Sequence, residues 1–358
     1  MSLNNRKKKI VWLTNLPAPY RFPIWDRVSE VHELEVIFTH AEINSRKWTV
    51  SGRPLWAFKY LSKRVYKFGE TDVIINPLGS WRITKGAQVV VVGGWENIFY
   101  ISTLLISRIR KIRIVQFYES IQESRRFDNV FVNWIRFKVI NLADYIVTPG
   151  VEATKFLLEM GISKGKIVQV FNVVDVDFFS SAIRLHQKSG LVGHNYLFVG
   201  RLIGLKNVAS LIRAFKLCER PQDTLTIVGS GILMEELSSL VNELNLKESV
   251  QFLGHLDQSQ LLEIYGRSNT LVLPSTNEVW GLVVNEALSA GLHVVVSRAC
   301  GVSSSVNELK GVYICDTGVK SIAEMMTRSR TDYVGPVARP KILTYKPINF
   351  ADKLMELF

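Results

Sequence analysis

Cysteine is scarce in this sequence. Three of 358 residues, Cys218, Cys300 and Cys315, are spread far apart, with no Cys/His spacing that ligates zinc. Neither a disulfide framework nor a zinc site is suggested, and the expected compartment is the reducing cytoplasm. Long hydrophobic runs are missing as well: no stretch approaches the roughly 20 apolar residues that cross a bilayer. The N-terminal region is basic (Arg6, Lys7, Lys8, Lys9), but residues 10–13 are followed at once by Thr14 and Asn15. The apolar core of a signal peptide, about 7–15 residues, is not found there, and 10–14 reads as a first buried strand.

What is present suits a globular protein of two domains. Apolar residues make up 47% of the chain, and 358 residues exceed one ordinary core. The first half alternates candidate strands (10–14, 34–39, 73–75, 88–92, 112–117 and 145–148) with helical periodicity at 97–110, 129–142 and 151–160. The second half repeats the alternation, with strands at 196–199, 224–228, 250–253, 269–273, 293–296 and 312–314. Its helices are expected at 207–218, 232–244, 259–266, 281–290 and 319–327. Continuous apolar strands separated by helices predict parallel sheets buried on both faces, with ligands at the strands' carboxyl ends. The expected class is therefore α/β: two Rossmann-like, doubly wound domains facing a cleft. The boundaries are 1–174, a linker at 175–194 containing the polar patch 187–190, a second domain at 195–340, and a C-terminal segment at 341–358 whose helix returns towards the first domain.

Charge is unevenly shared. The net charge is +12, and residues 1–180 hold 26 Lys and Arg against 16 Asp and Glu, whereas 181–358 hold 18 against 16. A basic first lobe suits an anionic membrane surface or nucleic acid, or is simply solvated. No nucleic-acid motif accompanies it. The segment 106–114 interleaves Arg108, Arg110, Lys111 and Arg113 with isoleucines, and Trp134, Arg136, Phe137 and Lys138 form a second mixed segment. These features fit peripheral membrane attachment, and equally fit core side chains with solvated cations.

The chemistry concentrates in loops that follow second-half strands. Residues 271–291 read LVLPSTNEVWGLVVNEALSAG: a strand, a loop carrying Glu278, and a helix starting near Gly281 with Glu286 further in. A helix N-terminus supplies free N–H groups and a positive dipole end for an anion. Two carboxylates beside an anion site suit a ligand that is both anionic and rich in hydroxyls, such as a nucleotide sugar. Arg201 and Lys206 follow the 196–199 strand, and cations there grip phosphate. Gly229-Ser230-Gly231 and Gly254-His255-Leu256 follow the next two strands.

The motifs VGRLIGLKNVASLIRAF, IVGSG, FLGHL and NEVWGLVVNEALSAG resemble those of the retaining GT-B glycosyltransferases of family 4, the glycosyl transferases group 1. Asn15-Leu16-Pro17-Ala18-Pro19-Tyr20-Arg21 is similar to the first-strand loop of bacterial polysaccharide and lipopolysaccharide members. The resemblance implies that Arg201 and Lys206 bind the donor diphosphate and that Glu278 orients the donor sugar. It also implies that Gly281, Leu282 and Val283 present the helix start to the phosphates and that Glu286 accepts from ribose hydroxyls. Gly254 and Leu256 would lie against the base, and Pro19 would close on the phosphates or acceptor. Where relatives carry a histidine after a central first-lobe strand, this chain has Tyr118-Glu119-Ser120, so Glu119 is either a sugar or acceptor contact or a plain loop acid. His293 stands where proline is frequent in relatives, and Gly301-Val302-Ser303-Ser304-Ser305 stands where an acidic residue before a helix is common. Asp175-Val176-Asp177 mimics a D-x-D metal site but follows the interdomain segment, so it reads as structural.

The implied activity is metal-independent, retaining transfer of a hexose or N-acetylhexosamine, without cofactor. The donor is a nucleoside-diphosphate sugar, UDP favoured over GDP, and the acceptor a glycan or lipid-linked glycan of cell-surface polysaccharide synthesis. The expected location is the cytoplasm, either free or peripheral on the inner face of the cytoplasmic membrane. The alternatives are a GT-B nucleotide-sugar epimerase and an inactive nucleotide-sugar-binding protein.

Overall fold

The structure is a computed structural model that describes residues 7–40, 50, 54–61, 65–68, 71–74, 76–95, 97–119, 129–186 and 193–358. The polar patch 187–190 and Ser120 lie outside them. The chain divides into two compact units, Met1–Phe171 with Pro347–Phe358, and Asn172–Lys346.

In the first unit the order is β1 (Lys9–Thr14), α1 (Phe22–Val31), β2 (Glu33–Phe38), β3 (Ala57–Tyr60), β4 (Val65–Phe68), β5 (Thr71–Ile74), α2 (Pro77–Ile83), β6 (Val89–Val92), α3 (Ile98–Ile109), β7 (Arg113–Phe117), α4 (Val130–Ile140), β8 (Tyr145–Pro149), α5 (Gly150–Glu159) and β9 (Ile167–Val170). Seven of these strands form one parallel sheet, in the order β3-β2-β1-β6-β7-β8-β9. Its central strands are apolar throughout, and alternate residues feed two layers. Val11, Leu13, Val90 and Ile114 join one core cluster with Phe99, Leu104, Ile140 and Leu157 of α3, α4 and α5. Trp12, Phe38 and Phe117 belong to an aromatic layer with Trp25 and Trp56.

One expected strand pairs otherwise than foreseen. Residues 73–75 were assigned to the parallel sheet, but β5 pairs antiparallel with β4 in a separate two-stranded ribbon. Only two residues separate β4 from β5, too few for the crossover that parallel pairing demands.

In the second unit, α6 (Val176–Ser180) and α7 (Ala182–His186) lead into β10 (Asn195–Val199), α8 (Val208–Cys218), β11 (Thr224–Val228), α9 (Met234–Glu243), β12 (Val250–Gly254), α10 (Gln258–Tyr265), β13 (Thr270–Leu273), α11 (Leu282–Ser289), β14 (His293–Ser297), α12 (Ser303–Val306), β15 (Val312–Cys315) and α13 (Val319–Thr331). The six-stranded parallel sheet runs β12-β11-β10-β13-β14-β15. Strand order reverses between β10 and β13, so their loops splay apart and open a crevice at the carboxyl edge. Asp175 is occupied structurally, because its carboxylate caps α6 by accepting from the Phe178 N–H at 3.0 Å. Asp177 pairs with Lys346 at 2.9 Å. The last helix, α14 (Pro347–Met355), packs on α1 of the first unit, where Arg27 bonds Asp352 at 2.8 Å.

Candidate nucleotide-sugar site

The crevice at the β10/β13 switch point is built by hydrogen bonds between loops. After β10, the Leu202 N–H donates to the Ser230 carbonyl at 2.9 Å and ties that loop to the one following β11. The approach is too close for a side chain: a Cβ on Gly229 would stand 1.8 Å from the Gly200 carbonyl oxygen, at a φ of +134°. The Gly-Ser-Gly turn is thus required by loop packing. Asn207, left-handed at φ 56°, donates through its side chain to the carbonyls of Pro274 at 3.1 Å and Thr317 at 2.9 Å. It thereby joins the loop after β10 to those after β13 and β15.

This bracing brings Lys206 and Glu278 together. Lys206 Nζ and a Glu278 carboxylate oxygen form an ion pair, with side chains only 16% and 21% exposed. Two such groups withdrawn from water satisfy each other, and removing either leaves a costly unpaired charge. Arg201, on the same loop as Lys206, is exposed and forms no ion pair among the described residues. On one side of the switch point Lys206 is thus neutralised by Glu278, while Arg201 on the same loop is exposed to solvent.

Helix α11 closes the other side. Gly281 precedes it with φ +99°, a conformation that lets the chain turn sharply from loop to helix. A Cβ there would lie 2.9 Å from Leu273 Cδ2. The N–H groups of Leu282 and Val283 fall in the first turn, outside the helix's own i→i−4 ladder. Below them Asn285, 1% exposed, accepts from Trp280 Nε1 at 3.2 Å and donates to the Asn172 carbonyl at 2.6 Å, fixing the helix to the start of its unit.

Glu286 lies one turn into α11, half-buried, and its Oε2 accepts from the Tyr265 hydroxyl at 2.7 Å. Burial pushes its carboxyl up to about 7, against which the Tyr265 hydrogen bond acts in the opposite direction. Gly254 ends β12 with φ +68°, and Leu256 follows in the same loop, half-buried at the carboxyl edge of the sheet.

The remaining expected residues belong to the first unit. Pro19 is exposed in a short turn of 3-10 helix, Pro19–Arg21. Glu119 follows β7 and pairs with Arg21 at 2.6 Å, while the Arg21 guanidinium lies 4.6 Å from the Phe117 ring centroid. Glu119 is thus an ion-paired carboxylate, not a free loop acid.

Sequence reading missed three contributors: Asn207, Asn285 and Tyr265. Tyr265 had one available signal. A tyrosine at a position packed like phenylalanine needs a partner for its hydroxyl. Among the described residues no cluster of three or more His, Cys, Asp or Glu side chains is placed to hold a metal.

Residues 186–333, less than half of the chain, match the family model described as Glycosyl transferases group 1. An uncharacterized glycosyltransferase of Methanocaldococcus jannaschii is 36% identical over 139 residues, which is 38% of this chain and 36% of the relative. The chain spans about a third of the length of the first curated relatives it matches. Among solved structures, Anabaena HepE in complex with UDP and glucose aligns over 98% of both chains with a TM-score of 0.74 at 16% identity. The lipopolysaccharide outer core galactosyltransferase WaaB in its apo form aligns over 98% of both chains with a TM-score of 0.72 at 14% identity. The fold is therefore GT-B: two Rossmann-like parallel-sheet domains.

Proposed function

We propose that the protein is a retaining, metal-independent glycosyltransferase of the family 4 type, which moves a sugar from a UDP-sugar to a glycan or lipid-linked acceptor. The observation that supports this reading is that Arg201, Lys206, Glu278, the start of α11 and Glu286 all lie on segments that follow β10 and β13, the two strands at which the sheet order reverses, with Lys206 and Glu278 paired across them. In ligand-free protein Lys206 and Glu278 neutralise each other. A donor diphosphate would take over Lys206, and Glu278 would then be compensated by sugar hydroxyls. The site thus selects a ligand that carries both groups. As the glycosidic bond breaks, charge grows on the leaving diphosphate, and Arg201, Lys206 and the Leu282 and Val283 amides are arranged to stabilise it. Glu286 would hold the ribose, with Gly254 and Leu256 beside the base and Pro19 and Glu119 on the acceptor side. The UDP complexes of a structural neighbour favour uridine over guanosine as the base.

Calorimetry with UDP-glucose, in EDTA and in excess magnesium, tests the donor site. Equal affinity in both conditions is expected, together with a loss of about tenfold or more in Lys206→Ala, since charge-assisted bonds to phosphate are lost. Binding by Lys206→Ala at wild-type strength would remove the site from the crevice.

Cell-surface polysaccharide synthesis at the membrane is the setting we favour, and the resemblance of the fold to WaaB supports it. No helix among the described residues is long and apolar enough to cross a membrane. The first unit carries exposed apolar residues beside cations, and Ile109 and Trp134 of the two segments read from sequence are among them. Ile112 and Ile114 of the 106–114 segment are buried, and Arg136 turns inward to lie 4.8 Å from the Trp95 ring centroid. Leu78 and Trp81 of α2 and Ile98, Leu105 and Ile109 of α3 are exposed, on two helices that pack on each other. Residues 77–118 contain six Lys and Arg against one acidic residue. A pair of surface helices with protruding apolar side chains and almost no negative charge suits an anionic lipid surface.

A further inference from the structure

Tyr265 ends α10 and is completely buried. Its ring meets Phe179 of α6 edge-on at 5.8 Å between centroids. Its hydroxyl reaches Glu286 Oε2 at 2.7 Å. A phenylalanine would fill the same space, so packing does not explain the hydroxyl. The one polar group it serves is the carboxylate that the donor-site reading assigns to ribose.

We propose that Tyr265 is the positioning residue of the ribose subsite: its hydroxyl occupies one oxygen of Glu286 and locks the carboxylate so that the other oxygen is left to accept from the ligand's vicinal hydroxyls. The inference rests on the donor-site reading of Glu286. A half-buried glutamate with free χ angles would sample several rotamers, and a fixed hydrogen bond removes most of that freedom before the ligand arrives. The bond also favours the ionised carboxylate, the form able to accept two hydroxyl donors, in a place where burial disfavours it.

Among the described residues no other ionisable group bonds the Glu286 carboxylate. From α6 the charged residue is Asp177, exposed and paired with Lys346. From the turn Lys341–Thr344, which also packs on α11, it is Lys341, itself exposed. Strands β13 and β14 contribute His293, whose ring lies among Tyr313 and Tyr333. Tyr265 is the group that bonds Glu286.

The test compares wild type, Tyr265→Phe and Glu286→Gln by two measurements. In ligand-free protein, carboxyl carbon NMR with the Glu286 signal identified from Glu286→Gln follows the titration directly. The Tyr265→Phe midpoint should rise by about one pH unit, because loss of a hydrogen bond to the ionised form raises its pKa. Calorimetry with UDP-glucose, whose diphosphate does not titrate between pH 5.5 and 8.5, should show affinity rising with pH through the Glu286 midpoint. Tyr265→Phe should bind about fivefold more weakly at pH 7 and recover most of the loss at pH 8.5. Wild-type affinity in Tyr265→Phe at pH 7 together with an unmoved midpoint would overturn the positioning role and leave Tyr265 as packing alone. A raised midpoint combined with wild-type UDP-glucose affinity in Glu286→Gln would instead sink the ribose reading while the Tyr265–Glu286 coupling stood.

Discussion

At the scale of single residues, the site holds groups that stability alone would not choose. Glu286 is ionisable and half-buried, and burial raises its carboxyl from an ordinary 4.5 to about 7. Its folded-state value lies above the unfolded one, so the stability it contributes is complete below about pH 4.5 and is lost as pH rises through about 7. Glutamine at this position still accepts from Tyr265 but does not ionise. Glu286→Gln should therefore be as stable as wild type at pH 5 and more stable at pH 8, by on the order of 2 kcal/mol, measured by chemical denaturation. An equal difference at both pH values would contradict the buried-carboxylate account. The two glutamates and two cations were legible because their spacing and their place after strands carry chemical meaning. That Lys206 and Glu278, 72 positions apart, pair with each other was not, because it depends on Asn207 joining their loops. Tyr265 was hidden for a different reason: an aromatic at a helical core position looks the same whether or not its hydroxyl has work to do.

At the scale of elements, legibility follows burial. The strands expected at the centre of each sheet are found, because strands covered on both faces are continuous apolar runs. The two edge strands of the first sheet were missed. All four residues of β3 are exposed, and β9 is mostly half-exposed, so neither carries the apolar signature. Surface helices are similarly ambiguous: the cations of α3 were visible, but the apolar stripe they flank is completed by α2, a separate segment. Co-sedimentation tests that face. The protein should pellet with vesicles containing anionic lipid and not with neutral ones, and binding should fall as salt rises. The double substitution Trp81→Ser and Ile109→Ser should abolish most of the binding. Equal pelleting with both vesicle types, or an undiminished double variant, would take the membrane surface elsewhere.

At the scale of the whole molecule, each unit has its own sheet, core and switch point, and the two differ in character. The second unit holds Arg201, Lys206, Glu278 and Glu286 and the stretch that matches the family model. The first holds the charge imbalance, the paired Arg21 and Glu119, and the apolar face. That division suits an enzyme in which one domain brings a nucleotide sugar and the other an acceptor. Three chemistries are compatible with such a pair of domains: transfer to an acceptor, interconversion of the donor, and binding without turnover. The direct test is to incubate the protein with UDP-glucose and a panel of lipid-linked and free saccharides while following UDP release and the anomeric configuration of any product. The account expects UDP release that requires an acceptor and matches it one to one with a new linkage of retained configuration. Release or sugar interconversion without acceptor, inversion at the anomeric carbon, or saturable donor binding with no turnover across the panel would contradict it.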